Sequence, residues 1–381
     1  MLRTYRRYWM VVAALLFALP LAFYIVTPYN KVASADELRD LAPPPTLPNS
    51  LRGWLKVPGQ IDAYLRDHFG LRHTLIHAYA LLSQKLLHSG NALVLPGRNG
   101  WMFYRGDQMV LQSAGLVRRD QLVADTADLL MAMKNTLAAR GIRLLVASPP
   151  NSATIYQDEL PNWAQNQGRR TEYDLFMDAL TVRGILAVDL RTTLREARTE
   201  GKVYHMHDTH WTARGALAGF NAVVPTASHP DWRLSAASVL GPPVTIVGGD
   251  LARLLGVAAD VTESDQNLVL PPGKRELFSP EPFATYTLTV DQPGPTIRSG
   301  PKIMIIGDSF TEGTVFSPAW APMLLQHTRE MVWLHHRLCG FDWKWIEQFH
   351  PDEVWWMPTE RVLVCAPGTV PNGFPSRVAQ K

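Results

Sequence analysis

The chain has 381 residues, of which 46% are hydrophobic and 19% are charged, and its formal net charge is +3. This length accommodates one large or two moderate globular units, and the composition excludes a disordered chain and a polytopic membrane protein. A small charge without a basic patch also argues against a nucleic-acid partner.

An almost uninterrupted apolar run begins at Trp9 and ends at Val26. It is close to the length that a bilayer-spanning helix needs, and the arginines before it favour a cytoplasmic N-terminus: Arg3, Arg6 and Arg7. We predict a cytoplasmic tail over 1–7, a transmembrane signal anchor over 8–26 and a catalytic domain in the periplasm, held by a single pass through the cell inner membrane. A cleaved signal peptide is the alternative, because residues 33–35 (Ala-Ser-Ala) form an acceptable cleavage site.

Residues 27–92 are predicted to be a periplasmic linker followed by a helical stalk. Prolines 43, 44, 45 and 48 indicate an extended, semi-rigid linker. From residue 61 to residue 88 the apolar side chains recur at helical spacing, which is typical of an amphipathic helix that serves as a stalk or a docking element.

From about residue 93 the pattern changes to alternating strands and helices. Apolar runs predict strands over 142–146, 185–188, 303–306, 331–334 and 354–357. Helical periodicity predicts helices over 121–140, 173–183, 213–223, 322–329 and 341–349. This alternation predicts an α/β domain over 93–367, with a mostly parallel sheet between two helical layers. A segment rich in proline and glycine over 225–300 interrupts the alternation as an insertion or lid, and 368–381 form a flexible tail.

The two cysteines, Cys339 and Cys365, do not have the close spacing of zinc ligands. They form a disulfide if the compartment is oxidising, but two buried free thiols would have the same sequence signature. The sequence leaves both states open.

A candidate nucleophile follows the predicted strand 303–306. Gly307-Asp308-Ser309 comes directly after that strand, and residues in the first turn after a parallel strand lie at the crevice where open α/β sheets bind ligands. The glycine allows a tight turn, and the Ser309 amide is suited to stabilise an oxyanion. The tripeptide alone is also compatible with an ordinary turn.

A candidate base and its orienting acid lie in the segment Tyr204-His-Met-His-Asp-Thr-His-Trp-Thr212, before an apolar helix. A serine hydroxyl needs a base to accept its proton, and the base needs an acceptor that fixes its tautomer. Asp208 and His210 are two residues apart, so they point the same way in an extended segment. Together with Ser309 they predict a catalytic triad.

These two motifs, about 100 residues apart, resemble those of the AlgX/AlgJ-type alginate O-acetyltransferase family. Further segments are similar to motifs of that family: residues 100–107, the proline-rich loop 149–156, Gly-Asp-Leu-Ala at 249–252 and the closing strand at 351–361. The resemblance covers about residues 93–364. It implies a circularly permuted SGNH hydrolase-like domain, with a three-layer α/β/α fold in which Asp and His precede Ser.

By this resemblance Ser309 is the nucleophile, His210 the general base and Asp208 the residue that orients it. The oxyanion and substrate-binding candidates are Asn151, after a predicted strand, and the aromatic residues Tyr104 and Trp211. Aromatic side chains stack on sugars, but they pack in cores at least as often, and for Trp211 both interpretations stay open. The proline-rich loop departs from the family at Ser152, where a lysine is frequent, and this departure argues against a role of the loop in binding an acidic sugar. Glu360 and Arg361 are interpreted as a structural pair.

The resemblance implies an enzyme that acetylates a bacterial exopolysaccharide, alginate or a cellulose-like polymer, through an acetyl-serine intermediate. It implies an acetyl donor delivered by a membrane-bound O-acyltransferase, and no soluble cofactor. Three alternatives remain: an SGNH-type acetylesterase, a non-catalytic polysaccharide-binding scaffold and a metallohydrolase. The last would use His205, His207, Asp208 and His210, but their order differs from H-x-H-x-D-H, and no second ligand cluster follows, so we predict no metal site.

Overall fold

The computed structural model describes residues 2–26, 41–68, 75, 78–79, 81–82, 90–270, 274–279, 285–290, 300–312, 320–328 and 330–375. The alternative cleavage site at 33–35, most of the second half of the predicted stalk and the end of the predicted tail lie outside these ranges. Among the described residues, no helix combines the length and the apolar character required to cross a membrane.

The helices lie in the following order: α1 Leu2–Val26, α2 Leu51–Trp54, α3 Val57–Asp67, α4 Met109–Ser113, α5 Asp120–Ala138, α6 Ser152–Ile155, α7 Glu172–Val182, α8 Arg191–Ala197, α9 Ala213–Thr226, α10 Ala236–Val239, α11 Asp250–Leu255, α12 Ser309–Glu312, α13 Trp320–Leu324 and α14 Lys344–Phe349. The strands are β1 Val94–Pro96, β2 Met102–Tyr104, β3 Arg143–Val146, β4 Leu240–Val247, β5 Thr262–Leu268, β6 Lys274–Ser279, β7 Thr285–Thr289, β8 Ile303–Gly307, β9 Glu330–His335 and β10 Glu353–Met357.

A six-stranded sheet with the order β3-β10-β8-β9-β7-β6 forms the centre of the fold. The first four strands in this order are parallel, whereas β7 and β6 pair antiparallel at one edge. The sheet therefore extends into the segment 225–300, which was predicted to be an insertion. The predicted strand 185–188 contributes only an isolated parallel bridge between Val146 and Ala187.

Side chains alternate between two apolar layers along the parallel strands, as the period of two requires. Ile305, Trp333 and Trp355 face a core that includes Phe220 of α9 and Trp320 of α13. On the other face the intervening residues pack against α5, α7 and α14: Met304, Ile306, Val332, Val354 and Trp356. Each such fully buried side chain stabilises the fold by roughly 1.5–3 kcal/mol. Helical layers on both faces of a mostly parallel sheet confirm the predicted three-layer arrangement.

Cys339 and Cys365 form a disulfide bond. It connects the turn that follows β9 to the segment that follows β10. The sequence left a disulfide and two free thiols open, and the structure has the bond.

Candidate functional site

Ser309 lies at the carboxyl end of β8, one of the two central strands of the sheet. All five residues of β8 are buried, and Ser309 begins the short helix α12 with only Asp308 between it and the strand. Glycine at 307 leaves room for Thr311, because a Cβ there would lie 2.2 Å from the Thr311 hydroxyl oxygen, which is hydrogen-bonded to the Asp308 carbonyl and to Trp333. The strand and the turn thus fix the position of the nucleophile candidate.

Asp308, the middle residue of Gly-Asp-Ser, anchors the turn to the segment after β10. Its Oδ2 accepts hydrogen bonds from the backbone N–H of Thr359 at 2.8 Å and from the Thr359 hydroxyl, and its Oδ1 accepts the N–H of Phe310 at 3.1 Å. Burial opposes ionisation of Asp308, but the charge of Arg361 and the other favourable contacts outweigh burial, so the pKa of Asp308 is below its usual range. Asp308 therefore has a structural role in the turn.

A hairpin-like turn brings Asp208 and His210 to the same place. Tyr204 and Trp211 form an antiparallel bridge, and the N–H of His205 donates to the carbonyl of His210 at 3.2 Å. His210 Nε2 lies 2.9 Å from Ser309 Oγ, and His210 Nδ1 lies 2.6 Å from Asp208 Oδ1. Serine hydroxyl, imidazole and carboxylate thus form one continuous hydrogen-bonded chain, which we call the triad.

The electrostatics of the triad favour a charged carboxylate and a basic imidazole. Burial opposes ionisation of Asp208, but the charge of His210 and its hydrogen bond outweigh burial and hold the pKa of Asp208 well below its usual range. For His210, burial opposes protonation, but the charge of Asp208 and the hydrogen bond to it dominate, so the pKa of His210 is raised above 6.5. Asp208 is therefore ionised at neutral pH, and its negative charge favours the protonated form of His210.

Trp211 does not line an open surface. Its side chain is 0% exposed and stacks on Trp320, with ring centroids 5.6 Å apart. The Phe310 ring, next to the nucleophile candidate, lies 5.5 Å away on another side. The substrate-stacking interpretation of Trp211 is therefore wrong: this residue packs under the triad and supports it.

Asn151 and Glu360, from the segments that follow β3 and β10, form a buried polar cluster. Glu360 Oε2 accepts hydrogen bonds from the Asn151 N–H and from the Thr154 hydroxyl, both at 2.7 Å. Burial raises the pKa of Glu360 to about 7. The side-chain Nδ2 of Asn151 donates to Ser113 Oγ at 3.2 Å. The loop that carries Asn151 is thereby fixed, and its role as an oxyanion donor stays a prediction.

Arg361 contributes a positive charge that the sequence did not assign to the site. Its guanidinium carbon lies 5.4 Å from the centre of the Phe310 ring and 5.9 Å from that of Tyr104, and Asp107 Oδ2 lies 4.0 Å from its Nε. Among the described residues it forms no ion pair with Glu360, so the predicted structural pair is wrong. Tyr104 is half-buried beside this cation, and its role in substrate binding stays a prediction.

The four residues of the alternative metal cluster do not converge. The ring nitrogens Nδ1 of His205 and of His207 each lie 3.7 Å from Glu263 Oε1, whereas Asp208 and His210 face each other and the serine. Within the described ranges, the group whose ligand atoms are close enough to share a metal ion is Asp208, His210 and Asp250. In that group both His210 ring nitrogens already have triad partners.

A comparison with known protein families identifies the domain that contains this site. The family model described as the SGNH hydrolase-like domain of the acetyltransferase AlgX matches residues 94–364, which include the whole triad. The chain belongs to this family. The match confirms the resemblance drawn from the motifs and the SGNH-like α/β fold.

The similarity to individual proteins of this kind is weaker. The chain is 26% identical over 173 residues to the probable alginate O-acetylase AlgJ of Pseudomonas putida, which covers 45% of this chain and 44% of that protein. For AlgJ of Pseudomonas aeruginosa the identity is 26% over 161 residues, covering 42% and 40%. The chain thus matches less than half the length of these relatives. Among solved structures, Bacillus cereus PatB1 is similar in fold, with a TM-score of 0.51, 10% identity and coverage of 72% of this chain and 98% of that one.

Proposed function

We propose that this chain is an O-acetyltransferase that acetylates hydroxyl groups of a bacterial exopolysaccharide through an acetyl-serine intermediate. The observation that carries the proposal is the hydrogen-bonded chain from Ser309 Oγ through the His210 imidazole to Asp208. Membership in a family of SGNH hydrolase-like acetyltransferase domains supports acyl transfer as the reaction class. The name of the relatives, probable alginate O-acetylase, suggests an acidic polysaccharide as the acceptor.

The proposed reaction has two half-reactions. His210 Nε2 accepts the Ser309 proton while Ser309 Oγ attacks the acetyl carbonyl, and the leaving group of the donor departs with that proton. A sugar hydroxyl then attacks the acetyl-serine, its proton passes to His210, and Ser309 Oγ regains a proton as the ester bond to the enzyme breaks. Asp208 stays ionised throughout and balances the charge of the imidazolium. Water in place of the sugar gives hydrolysis, so esterase and transferase activity share this site.

We also propose that the catalytic domain is exported and anchored to the inner membrane by residues 8–26, and that a membrane-bound O-acyltransferase delivers the acetyl group. The arginines before the apolar run support this orientation, and a disulfide between Cys339 and Cys365 fits an oxidising compartment. A C-terminal fusion to a reporter that is active only outside the cytoplasm is expected to be positive and to stay with membranes after a high-salt wash. Recovery of a soluble chain beginning at Asp36 would contradict the anchor.

The proposed function is tested by supplying the purified chain with a small acetyl ester and one of two acceptors, oligomannuronate or a cello-oligosaccharide. We expect one acceptor to gain acetyl groups, detected by mass spectrometry, and the reaction to survive a metal chelator because the base is an imidazole. Loss of activity on chelation, with recovery on addition of zinc, would support the metallohydrolase instead. Release of acetate alone with both acceptors would indicate an esterase, and glycan binding without turnover a scaffold.

A further inference from the structure

A second carboxylate, from Asp250, lies beside the triad. Asp250 is the first residue of α11, and both of its carboxylate oxygens accept hydrogen bonds from Thr209, the residue between Asp208 and His210. The Thr209 N–H donates to Oδ1 at 2.7 Å, and the Thr209 hydroxyl donates to Oδ2. The same Oδ2 lies 3.9 Å from His210 Nδ1. This carboxylate therefore contacts the turn that presents the base and adds a negative charge close to the imidazole.

The backbone of the same segment holds the acid of the triad. The Asp250 N–H donates to Asp208 Oδ2 at 2.8 Å, while Asp208 Oδ1 accepts from His210 Nδ1. Each oxygen of Asp208 thus has its own donor, and the orientation of this carboxylate is fixed. The N–H of Ala252 donates to the carbonyl of His207 at 3.1 Å, so a second backbone hydrogen bond joins α11 to the segment that contains Asp208 and His210.

The close approach of the two segments explains the glycine before Asp250. Gly249 has φ +145°, and a Cβ at this position would lie 2.2 Å from the His207 carbonyl oxygen and 3.1 Å from the Asp208 Cβ. Any larger residue would push the segment away from the triad turn. The contact between the two segments is therefore built into the backbone and does not depend on the Asp250 side chain alone.

We propose that Asp250 is a positioning residue of the acyl-transfer site, which anchors the Thr209 turn and supplies a second negative charge to the His210 imidazole. The proposal rests on the proposed function for the reaction that Asp250 serves. The Asp250 carboxylate contacts Thr209 and lies close to the His210 imidazole, so it acts through His210 and the Thr209 turn.

Charged groups from three segments face His210: Asp208 from its own turn, Asp250 from α11 and Arg361 from the segment after β10. The neutral Ser309 hydroxyl of α12 faces it from a fourth segment. Burial opposes protonation of His210, the two carboxylates favour it, and Arg361 opposes it. The pKa of Asp250 itself is raised, first by burial and then by the charge of Asp208. Removal of the Asp250 charge must therefore lower the pKa of the imidazole.

The test compares Asp250→Asn with Asp250→Ala. The asparagine removes the charge but keeps an oxygen acceptor for Thr209. Alanine removes the charge and both hydrogen bonds between the side chain and Thr209. Both variants keep the backbone N–H that donates to Asp208. For Asp250→Asn we expect the apparent pKa in kcat/KM for a small acetyl ester to fall by about half a unit to one unit. On the alkaline plateau of each pH profile, where the imidazole is neutral, the kcat of Asp250→Asn is expected within about threefold of the wild type, and that of Asp250→Ala about tenfold or more lower.

A direct titration of His210 makes the result independent of turnover. NMR titration of the imidazole in Ser309→Ala protein, with and without Asp250→Asn, is expected to show that Asp250→Asn lowers the pKa of His210 by the same amount. This result is expected even if the proposed acyl transfer fails. The exposed Asp231→Asn is the matched control and is expected to leave the pKa unchanged. Circular dichroism verifies folding, and Asp250→Ser is the second neutral variant if the asparagine variant does not fold. An unchanged His210 pKa in a folded neutral variant would overturn the proposal.

Discussion

Replacement of Ser309 by alanine is expected to lower turnover of a small acetyl ester by at least about three orders of magnitude, because the other triad residues have no alternative nucleophile to activate. The substitution removes one oxygen at a half-buried site and leaves the turn intact, since Asp308 and Gly307 hold it. We therefore expect the unfolding temperature to change little. A loss of activity without a loss of stability is the signature of a chemical role.

The covalent intermediate gives a second readout for the same variant. Brief exposure of the wild-type protein to the acetyl ester is expected to leave an acetyl group on the peptide that contains residues 306–310, detected by mass spectrometry, and Ser309→Ala is expected to lack it. Ser238→Ala, an exposed serine in α10, is the matched control and should keep both the adduct and the activity. An adduct on another residue, or full activity in Ser309→Ala, would refute the mechanism even with the fold unchanged.

The residues of the triad were predictable because local sequence encodes their presentation. An apolar run followed by Gly-Asp-Ser fixes the place of Ser309 at a strand end. The spacing of Asp208 and His210 places both side chains on one side of an extended turn. The orientation of this turn toward Ser309 could not be predicted from the sequence. It is set by the bridge between Tyr204 and Trp211 and by the packing of Trp211 against Phe310.

Other features depend on tertiary contacts that no local pattern shows. The strands β6 and β7 lie in a segment with many prolines and glycines, and β6 is mostly exposed, so its residues lack the apolar alternation of a half-buried strand. Trp211 was ambiguous because stacking on a sugar and stacking on Trp320 require the same side chain. Asp250 lies about 40 residues after Thr209 in the chain, and only the folded structure brings the two together.

The surroundings of the adjacent residues Glu360 and Arg361 also depend on tertiary structure and could not be predicted from the sequence. Opposite charges on neighbouring residues suggested a pair, yet the short 3-10 helix Glu360–Val362 directs them to different surroundings. Glu360 enters the buried cluster of Asn151 and Thr154, whereas the Arg361 guanidinium lies against the Phe310 ring. The side-chain directions follow from backbone geometry after β10, which the sequence does not specify.

His210→Ala is expected to lower turnover nearly as much as Ser309→Ala, by about three orders of magnitude, because the triad acts as a unit. Asp208→Asn is expected to retain somewhat more activity than His210→Ala, because the imidazole remains although its tautomer is no longer fixed. An asparagine can donate to Nδ1, and the imidazole then presents Nε2–H to Ser309, so it cannot accept the serine proton. The exposed Asp128→Asn, on α5, is the matched control.

The pH profile separates these roles. In the wild type, kcat/KM is expected to rise with pH and to reach half its plateau above 6.5, because the pKa of His210 is raised and only the neutral imidazole accepts a proton. Loss of the Asp208 charge removes the largest favourable contribution to the imidazolium, so the remaining activity of Asp208→Asn should have its midpoint at lower pH. If Asp208→Asn kept both the wild-type rate and the wild-type midpoint, Asp208 would neither orient the His210 imidazole nor raise its pKa. The hydrogen bond of 2.6 Å between Asp208 Oδ1 and His210 Nδ1 would then have no catalytic role.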